Sequence, residues 1–425
     1  MANASVASEK ANEKIWSTTM TQAEALELMK KGENVLLTGP AGAGKSYLLQ
    51  QFINWARHHG RKTAVTATTG LAAAHLSGQT IHSWAGLGIL NKLPDNYFFT
   101  ISDSRRSGIQ RTDVLIIDEI SMLHDYMLDM IDEAMRIMRD DESPFGGLQV
   151  ILCGDFFQLP PVGNGGRFVT ESKVWSSMGI KVCYLEEQHR ADDLRLQEIL
   201  NALREGNMKQ RHLKWLLSRM SIEPTDDVTR LYTTNADVEH INNAKLAEIS
   251  ADTHFYLRTS KGNYDAINTL QEQVLAPETL ALKVGAIVMA VKNDSEGKYV
   301  NGSTGYVLDF VNGFPIVQFD GKSPIPIYPQ EWEKRSGERI VASITQIPLR
   351  LAYAITVHKS QGMTLDRAEI DLSKAFVSGQ GYVGLSRVRS LDSLYLKGIN
   401  RRSLMVSSKA QALDARFRKL SKELI

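Results

Sequence analysis

Lys45 and Ser46 close the run Gly39-Pro40-Ala41-Gly42-Ala43-Gly44-Lys45-Ser46, which follows the apolar Asn34-Val-Leu-Leu-Thr38 and precedes Tyr47-Leu-Leu-Gln-Gln-Phe52. A glycine-rich turn between a buried strand and a helix points successive backbone N–H groups at phosphate oxygens, and the helix N-terminus adds positive potential. In such a loop the lysine reaches the β- and γ-oxygens and the serine hydroxyl can hold Mg²⁺. A nucleoside triphosphate is therefore the expected ligand. Asp118 and Glu119 end the apolar run Val114-Leu-Ile-Ile117. There an aspartate can complete the Mg²⁺ shell, and the glutamate can orient and deprotonate an attacking water. Gln158, in Gly154-Asp-Phe-Phe-Gln-Leu-Pro-Pro161, follows the next strand, where its amide can sense a γ-phosphate or that water.

These residues need a scaffold that brings strand ends together. From 24 to 185, helical patterns alternate with the short apolar runs NVLLTG, TAVTAT, DVLIIDE, LQVILCGD and KVCYL, which predicts an α/β domain with a mostly parallel sheet. A second set, TRLYTT, RLAYAIT, RAEIDL and SLYLKGI, predicts another. Between them, glycines and the runs AIVMAV, GYVLDFV and PIVQF predict a small inserted β unit. Residues 85–108 lack a clear period and read as a smaller insertion.

Composition narrows the field only slightly. The 425 residues are 43% hydrophobic and 23% charged, with 49 basic against 48 acidic side chains, so a polyanion must be held by local patches. Cys153 and Cys183 lie in strand-like runs and read as buried thiols, in a reducing compartment. The first residues lack the apolar core of a signal peptide, and no stretch is long and apolar enough to span a bilayer. The last 29 residues carry eight Lys/Arg and two acids, and read as a helix with a solvated basic face, with DNA contact as the alternative.

The motif order is more specific than any single motif. GDFFQLPP resembles motif III of superfamily 1 helicases, and DEISM followed by PFGGLQVILCGD resembles the PIF (petite integration frequency) family of superfamily 1B, related to RecD-type helicases. The segment between, LHDYMLDMIDEAMRIMRDDES, stands where that family carries its signature helix. The resemblance implies that Gln22 reads adenine, and that Arg190 in Leu185-Glu-Glu-Gln-His-Arg190 and Arg387 in Tyr382-Val-Gly-Leu-Ser-Arg387 reach the γ-phosphate. Guanidinium forks suit charge spread over phosphoryl oxygens, and an arginine finger contributes roughly 10³–10⁵ in rate.

By the same resemblance, DNA lies along the opposite rim. Thr68, Thr69, Thr80 and His82 would grip one strand from the first domain, and Thr234, Asn235, His358, Lys359 and Gln361 from the second. Threonines after strands are also ordinary helix caps. Trp84, Tyr97, Phe98 and Phe99 fall where this branch carries a strand-separating wedge, with Phe98 and Phe99 the candidates for base contact; packing of their own subdomain is the alternative.

The implied fold is two RecA-like P-loop domains with parallel sheets: a flexible leader over 1–19, domain 1A over 20–185 with insertion 1B at about 84–108, domain 2A over 186–254 and 342–425, and an SH3-like domain 2B over 255–341. The implied activity is ATP- and Mg²⁺-dependent 5′→3′ translocation on single-stranded DNA, with unwinding of tailed or forked duplexes, and G-quadruplex, in replication, recombination, repair or telomere maintenance. A monomer or weak self-association on DNA is expected. So is an intracellular site: cytoplasm or nucleoid in a bacterium or phage, nucleus or mitochondrion in a eukaryote. The length matches a helicase core, so partner recruitment housed in longer flanks is not expected. Two other readings are a nucleic-acid-stimulated ATPase that translocates or switches without separating strands, and, more remotely, a small-molecule P-loop kinase.

Overall fold

The buried runs form the strands of two parallel sheets. The computed structural model describes residues 19–425 apart from 89–91, 162–166, 187–192, 221, 225–227, 272–273, 293, 295, 300, 320 and 337–338. In it β1 (Val35–Thr38), β2 (Thr63–Ala67), β3 (Gln79–Thr80), β4 (Val114–Asp118), β5 (Gln149–Gly154) and β6 (Lys181–Tyr184) pair in the order β3-β2-β4-β5-β1-β6. Every residue of β1, β4 and β5 is buried, as strands covered by helices on both faces must be. The helix Lys45–His58 packs Leu48, Leu49, Phe52 and Ile53 against one face, and Asp125–Arg139 packs Leu128, Ile131 and Met135 against the other. Cys153 and Cys183 are both buried free thiols.

The register explains why chemistry collects at one edge. Thr38 lies opposite Gly154, and Ile117 opposite Leu152, so the loops after β1, β4 and β5 leave the sheet side by side. The second sheet pairs Ala354–Thr356, Thr229–Tyr232, Ala368–Leu372 and Leu394–Ile399 in that order, all in parallel. Between its strands lies the β unit, whose main sheet is antiparallel and five-stranded, with Ile325–Pro326, Phe314–Phe319, Thr304–Val311, Ile287–Ala290 and Leu349–Leu351 as neighbours.

Three features differ from expectation. The run RLAYAIT is not one strand: Leu349–Leu351 pairs with Ile287–Ala290 in the β unit, and Ala354–Thr356 joins the second sheet. The β unit therefore ends at Leu351 rather than 341, and no glycine or proline in that run marks the change of sheet. The C-terminal helix, Ser408–Lys422, leaves the second domain and docks on β6 of the first. Ala410, Phe417 and Ser421 form its buried stripe, Phe417 meets Phe156 at 5.2 Å, and the Ser421 hydroxyl accepts a hydrogen bond from Tyr184 N–H at 3.0 Å. Its basic face is solvated, with Lys409, Arg416, Lys419 and Lys422 exposed, and what the sequence reading lacked is the buried stripe opposite. Lastly, Trp84 and Tyr97 belong to the core of the first domain, and the Tyr97 hydroxyl donates to the Ala85 carbonyl.

Candidate nucleotide site and nucleic-acid interface

The phosphate loop is held open by its glycines. Gly39, Gly42 and Gly44 have φ of 141°, 86° and 78°, and a Cβ on Gly39 would come within 2.2 Å of the Leu185 carbonyl oxygen. Pro40 and Ala41 complete the turn, and Ala43 is buried beneath it. Lys45 Nζ donates to the Gly39 and Pro40 carbonyls at 2.8 and 2.9 Å. Gln22 lies against the same loop, its Nε2 3.5 Å from the Ala43 carbonyl. That places it beside the phosphate loop.

Glu119 is the most constrained side chain of the site. Its φ is 53°, in the left-handed region that non-glycine residues seldom occupy. Its N–H donates to Asp118 Oδ1 at 2.9 Å, and its carbonyl accepts from the Thr68 hydroxyl at 3.0 Å. Burial, and then the charge of Asp118, push the Glu119 carboxyl up to about 7, against the opposing pull of Gln361, Arg387 and Lys45. A carboxylate so placed can accept a proton near neutrality.

A cavity of about 360 Å³ between the domains brings together Lys45, Ser46, Glu119 and Gln158 from the first and Arg387 and Arg389 from the second. Gln158 is buried, and its Oε1 has no hydrogen-bond partner among the described residues. Arg387 is buried, with Nη1 donating to the Ser360 and Met363 carbonyls, each at 3.1 Å, and Nη2 donating to the Ser386 hydroxyl at 2.7 Å. It thus braces the 360–363 loop while lining the cleft. Arg190 lies outside the described residues.

Ser46 and Asp118 pair a hydroxyl with a single carboxylate. Among the described residues no group of three or more His, Cys, Asp or Glu could hold a metal by itself. This donor set fits Mg²⁺, which keeps water and phosphate oxygens in its shell, and does not fit an ion caged by protein alone.

The residues expected on the DNA rim sit at two pairs of strand ends. Ala67 lies opposite both Thr80 and Asp118, so Thr68, Thr69, Thr80 and His82 emerge together next to the strand that ends at Asp118. Thr356 lies opposite Tyr232, which sets His358 and Lys359 beside Thr234 and Asn235. The hydroxyls of Thr69, Thr80 and Thr234 accept from Ala72, Ser83 and Asp237 N–H at 3.3, 3.3 and 3.2 Å, so all three are helix caps. Burial lowers the pKa of His82 and of His358. Burial, and then Arg350, lower the Lys359 ammonium to about 8.

Gln361 departs from the rim. It is buried, and its Nε2 donates to Glu119 Oε2 at 2.9 Å, so its amide is directed at the nucleotide site rather than at DNA. Of the wedge aromatics, Phe99 is 81% exposed, while Phe98 packs on the core and against the Arg106 guanidinium at 3.9 Å. Three residues escaped the sequence reading: Arg389 at the cleft, Phe376, which is exposed and stacked near His358 at 6.1 Å, and the buried Arg204. Arg204 had one signal, because it extends the apolar stripe of Leu196 and Leu200 along the helix Leu194–Glu205.

With this geometry in hand, known proteins give a consistent match. A model of PIF1-like helicases matches residues 13–218, and one of the DNA helicase Pif1 2B domain matches residues 265–310. The chain is 39% identical to the ATP-dependent DNA helicase Pif1 of Psychrobacter sp. (strain PRwf-1), over 95% of this chain and 72% of that protein. Among solved structures, the Pif1 helicase from Candida albicans superposes with a TM-score of 0.86 at 32% identity, covering 93% of this chain and 98% of that one. Pif1 helicase from Bacteroides in complex with ADP-AlF3 and ssDNA gives 0.82 at 30% identity, covering 94% and 96%.

Proposed function

The chain belongs to the PIF1-like helicase family, and we propose that this ATP-dependent DNA helicase, built on two RecA-like domains, moves 5′→3′ along single-stranded DNA by opening and closing the cleft between them. The observation that carries this reading is the convergence on one cleft of Lys45, Glu119 and Gln158 from one domain with Gln361 and Arg387 from the other. Charge on a bound triphosphate would draw the two sets together, and hydrolysis would release them.

Each residue has a role in that cycle. The phosphate loop and Lys45 hold the β- and γ-phosphates; Ser46 and Asp118 would hold Mg²⁺, which would offset phosphate charge. Gln158 orients the attacking water and Glu119 takes its proton. Arg387, and Arg190 by resemblance, offset charge on the transferred phosphoryl group. Gln22 reads adenine. Thr68, Thr69, Thr80 and His82 hold the strand on the first domain while Thr234, Asn235, His358 and Lys359 hold it on the second, so alternation between the two grips advances the strand. Phe99 is the wedge tip.

Roles in replication, recombination, repair and telomere maintenance, action on G-quadruplex DNA, and a monomeric working unit belong to the same proposal. Among the described residues no helix is long and apolar enough to cross a membrane. The testing experiment compares ATP-dependent opening of two duplexes that differ only in a 5′ or 3′ single-stranded tail. Selective opening of the 5′-tailed duplex supports the reading, and opening of the 3′-tailed duplex alone overturns its polarity. DNA-stimulated hydrolysis with neither duplex opened favours a translocase or switch.

A further inference from the structure

The Tyr382 hydroxyl uses its full hydrogen-bonding capacity across the two domains. It donates to Asp155 Oδ2 at 2.8 Å and accepts from Arg204 Nη1 at 2.9 Å and from the Ala41 N–H at 3.0 Å. Ala41 belongs to the phosphate loop. Asp155 opens the turn that carries Gln158, which donates its own N–H to the Asp155 carbonyl at 3.0 Å. Tyr382 lies in the helix Gln380–Leu385, which leads into Arg387. One phenolic oxygen therefore joins the three segments that bear Lys45, Gln158 and Arg387.

Arg204 fixes that oxygen in place. Its Nη1 lies 2.8 and 2.9 Å from the two Asp155 oxygens, its guanidinium stacks on Phe157 at 4.1 Å, and its Nη2 reaches Asp414 of the C-terminal helix at 2.8 Å. Burial works against the charge of Asp155, but Arg204, Lys45 and the Tyr382 hydroxyl outweigh it and hold the carboxyl below its ordinary value. A buried ion cluster is a poor source of stability, because desolvation cancels much of its attraction. What it does supply is fixed geometry, since each partner is held by several directed bonds.

We propose that Tyr382 and Arg204 are positioning residues for ATP hydrolysis: together with Asp155 they form a joint that holds the phosphate loop in register with the helix leading to Arg387. This inference rests on the helicase reading, because it assumes that hydrolysis takes place in this cleft.

Tyr382→Phe tests it, since only the hydroxyl is lost and the ring keeps its place beside Phe157. The full chain is assayed for ATP turnover at saturating single-stranded DNA. Misplacement on the scale of an ångström lowers a rate by up to about 100-fold, so kcat is expected to fall roughly 10- to 100-fold. KM for ATP should stay within about threefold, because nucleotide binding itself is left intact. The thermal midpoint should fall by a few degrees, because buried partners lose a hydrogen bond, so turnover is compared at a temperature at which both proteins are fully folded. Arg204→Lys keeps the charge without the fork and should lower kcat similarly, and adding Tyr382→Phe to it should cost little more, because both act through one joint. Wild-type kcat in Tyr382→Phe, or a fall in kcat matched by an equal rise in KM, measured where the variant is fully folded, overturns the proposal. Absence of DNA-stimulated hydrolysis in the wild-type protein would instead refute the helicase reading beneath it.

Discussion

The side-chain amide of Gln361 donates to the Glu119 carboxylate across the cleft at 2.9 Å, joining residues 242 positions apart. The loop that presents His358 and Lys359 at a strand end thus terminates on the carboxylate proposed as the general base. If His358 and Lys359 grip DNA as proposed, a shift of this loop on the strand is transmitted to Glu119 through Gln361.

Replacing Gln361 by alanine should lower kcat about tenfold while leaving single-stranded DNA affinity nearly unchanged, in keeping with loss of a hydrogen bond to a charged group. Steady-state hydrolysis and fluorescence anisotropy measured side by side decide the point. Weakened DNA binding at normal kcat would return Gln361 to the rim.

Lys45→Ala should abolish ATP turnover. Glu119→Gln should bind nucleotide normally yet hydrolyse it roughly 10²–10⁴-fold more slowly, the range expected for loss of a general base. Equilibrium binding of a fluorescent ATP analogue together with phosphate release separates the two defects, and normal turnover in Glu119→Gln would remove it from the role of base.

Phe99→Ala should uncouple the motor: DNA-stimulated hydrolysis persists while duplex opening is lost, because a side chain 81% exposed contributes to no core. Stacking of this kind is worth about 1–3 kcal/mol per base. Phe98→Ala should act differently, lowering the melting temperature through lost contact with Arg106. Loss of hydrolysis in Phe99→Ala would exclude the wedge role.

Affinity for single-stranded DNA should decline as pH rises from 7 to 9. Burial, then the neighbouring Arg350, bring the Lys359 ammonium to about 8, with Glu239 as the opposing charge, so above that value the side chain is neutral and no longer offsets a phosphate. His82 and His358, lowered by burial, are already neutral throughout this range. Lys359→Arg should abolish the decline, because guanidinium stays charged. Lys359→Ala at pH 7 should reduce the slope of log affinity against log salt by about 1. An identical pH profile in Lys359→Arg would assign the effect elsewhere.

What could be read in the sequence was local. Glycine spacing around Lys45, the Asp118-Glu119 strand end and the Gln158 turn each carry their chemistry within a few neighbouring residues, and the alternation of apolar runs sufficed for both sheets. What could not be read depends on partners brought together by folding. The bond between Gln361 and Glu119, the Arg204 cluster, and the change of sheet between Leu351 and Ala354 have no local periodicity to reveal them. The C-terminal helix was obscured by its own composition, since eight basic residues in the last 29 masked the stripe of Ala410 and Phe417.

That helix changes the mechanics of the whole molecule. Because Ser408–Lys422 returns to β6, the polypeptide passes between the two lobes twice, once after Tyr184 and again before Ser408. Any displacement of one lobe against the other must therefore be accommodated at both crossings, so the C-terminal segment shares in whatever movement the nucleotide drives.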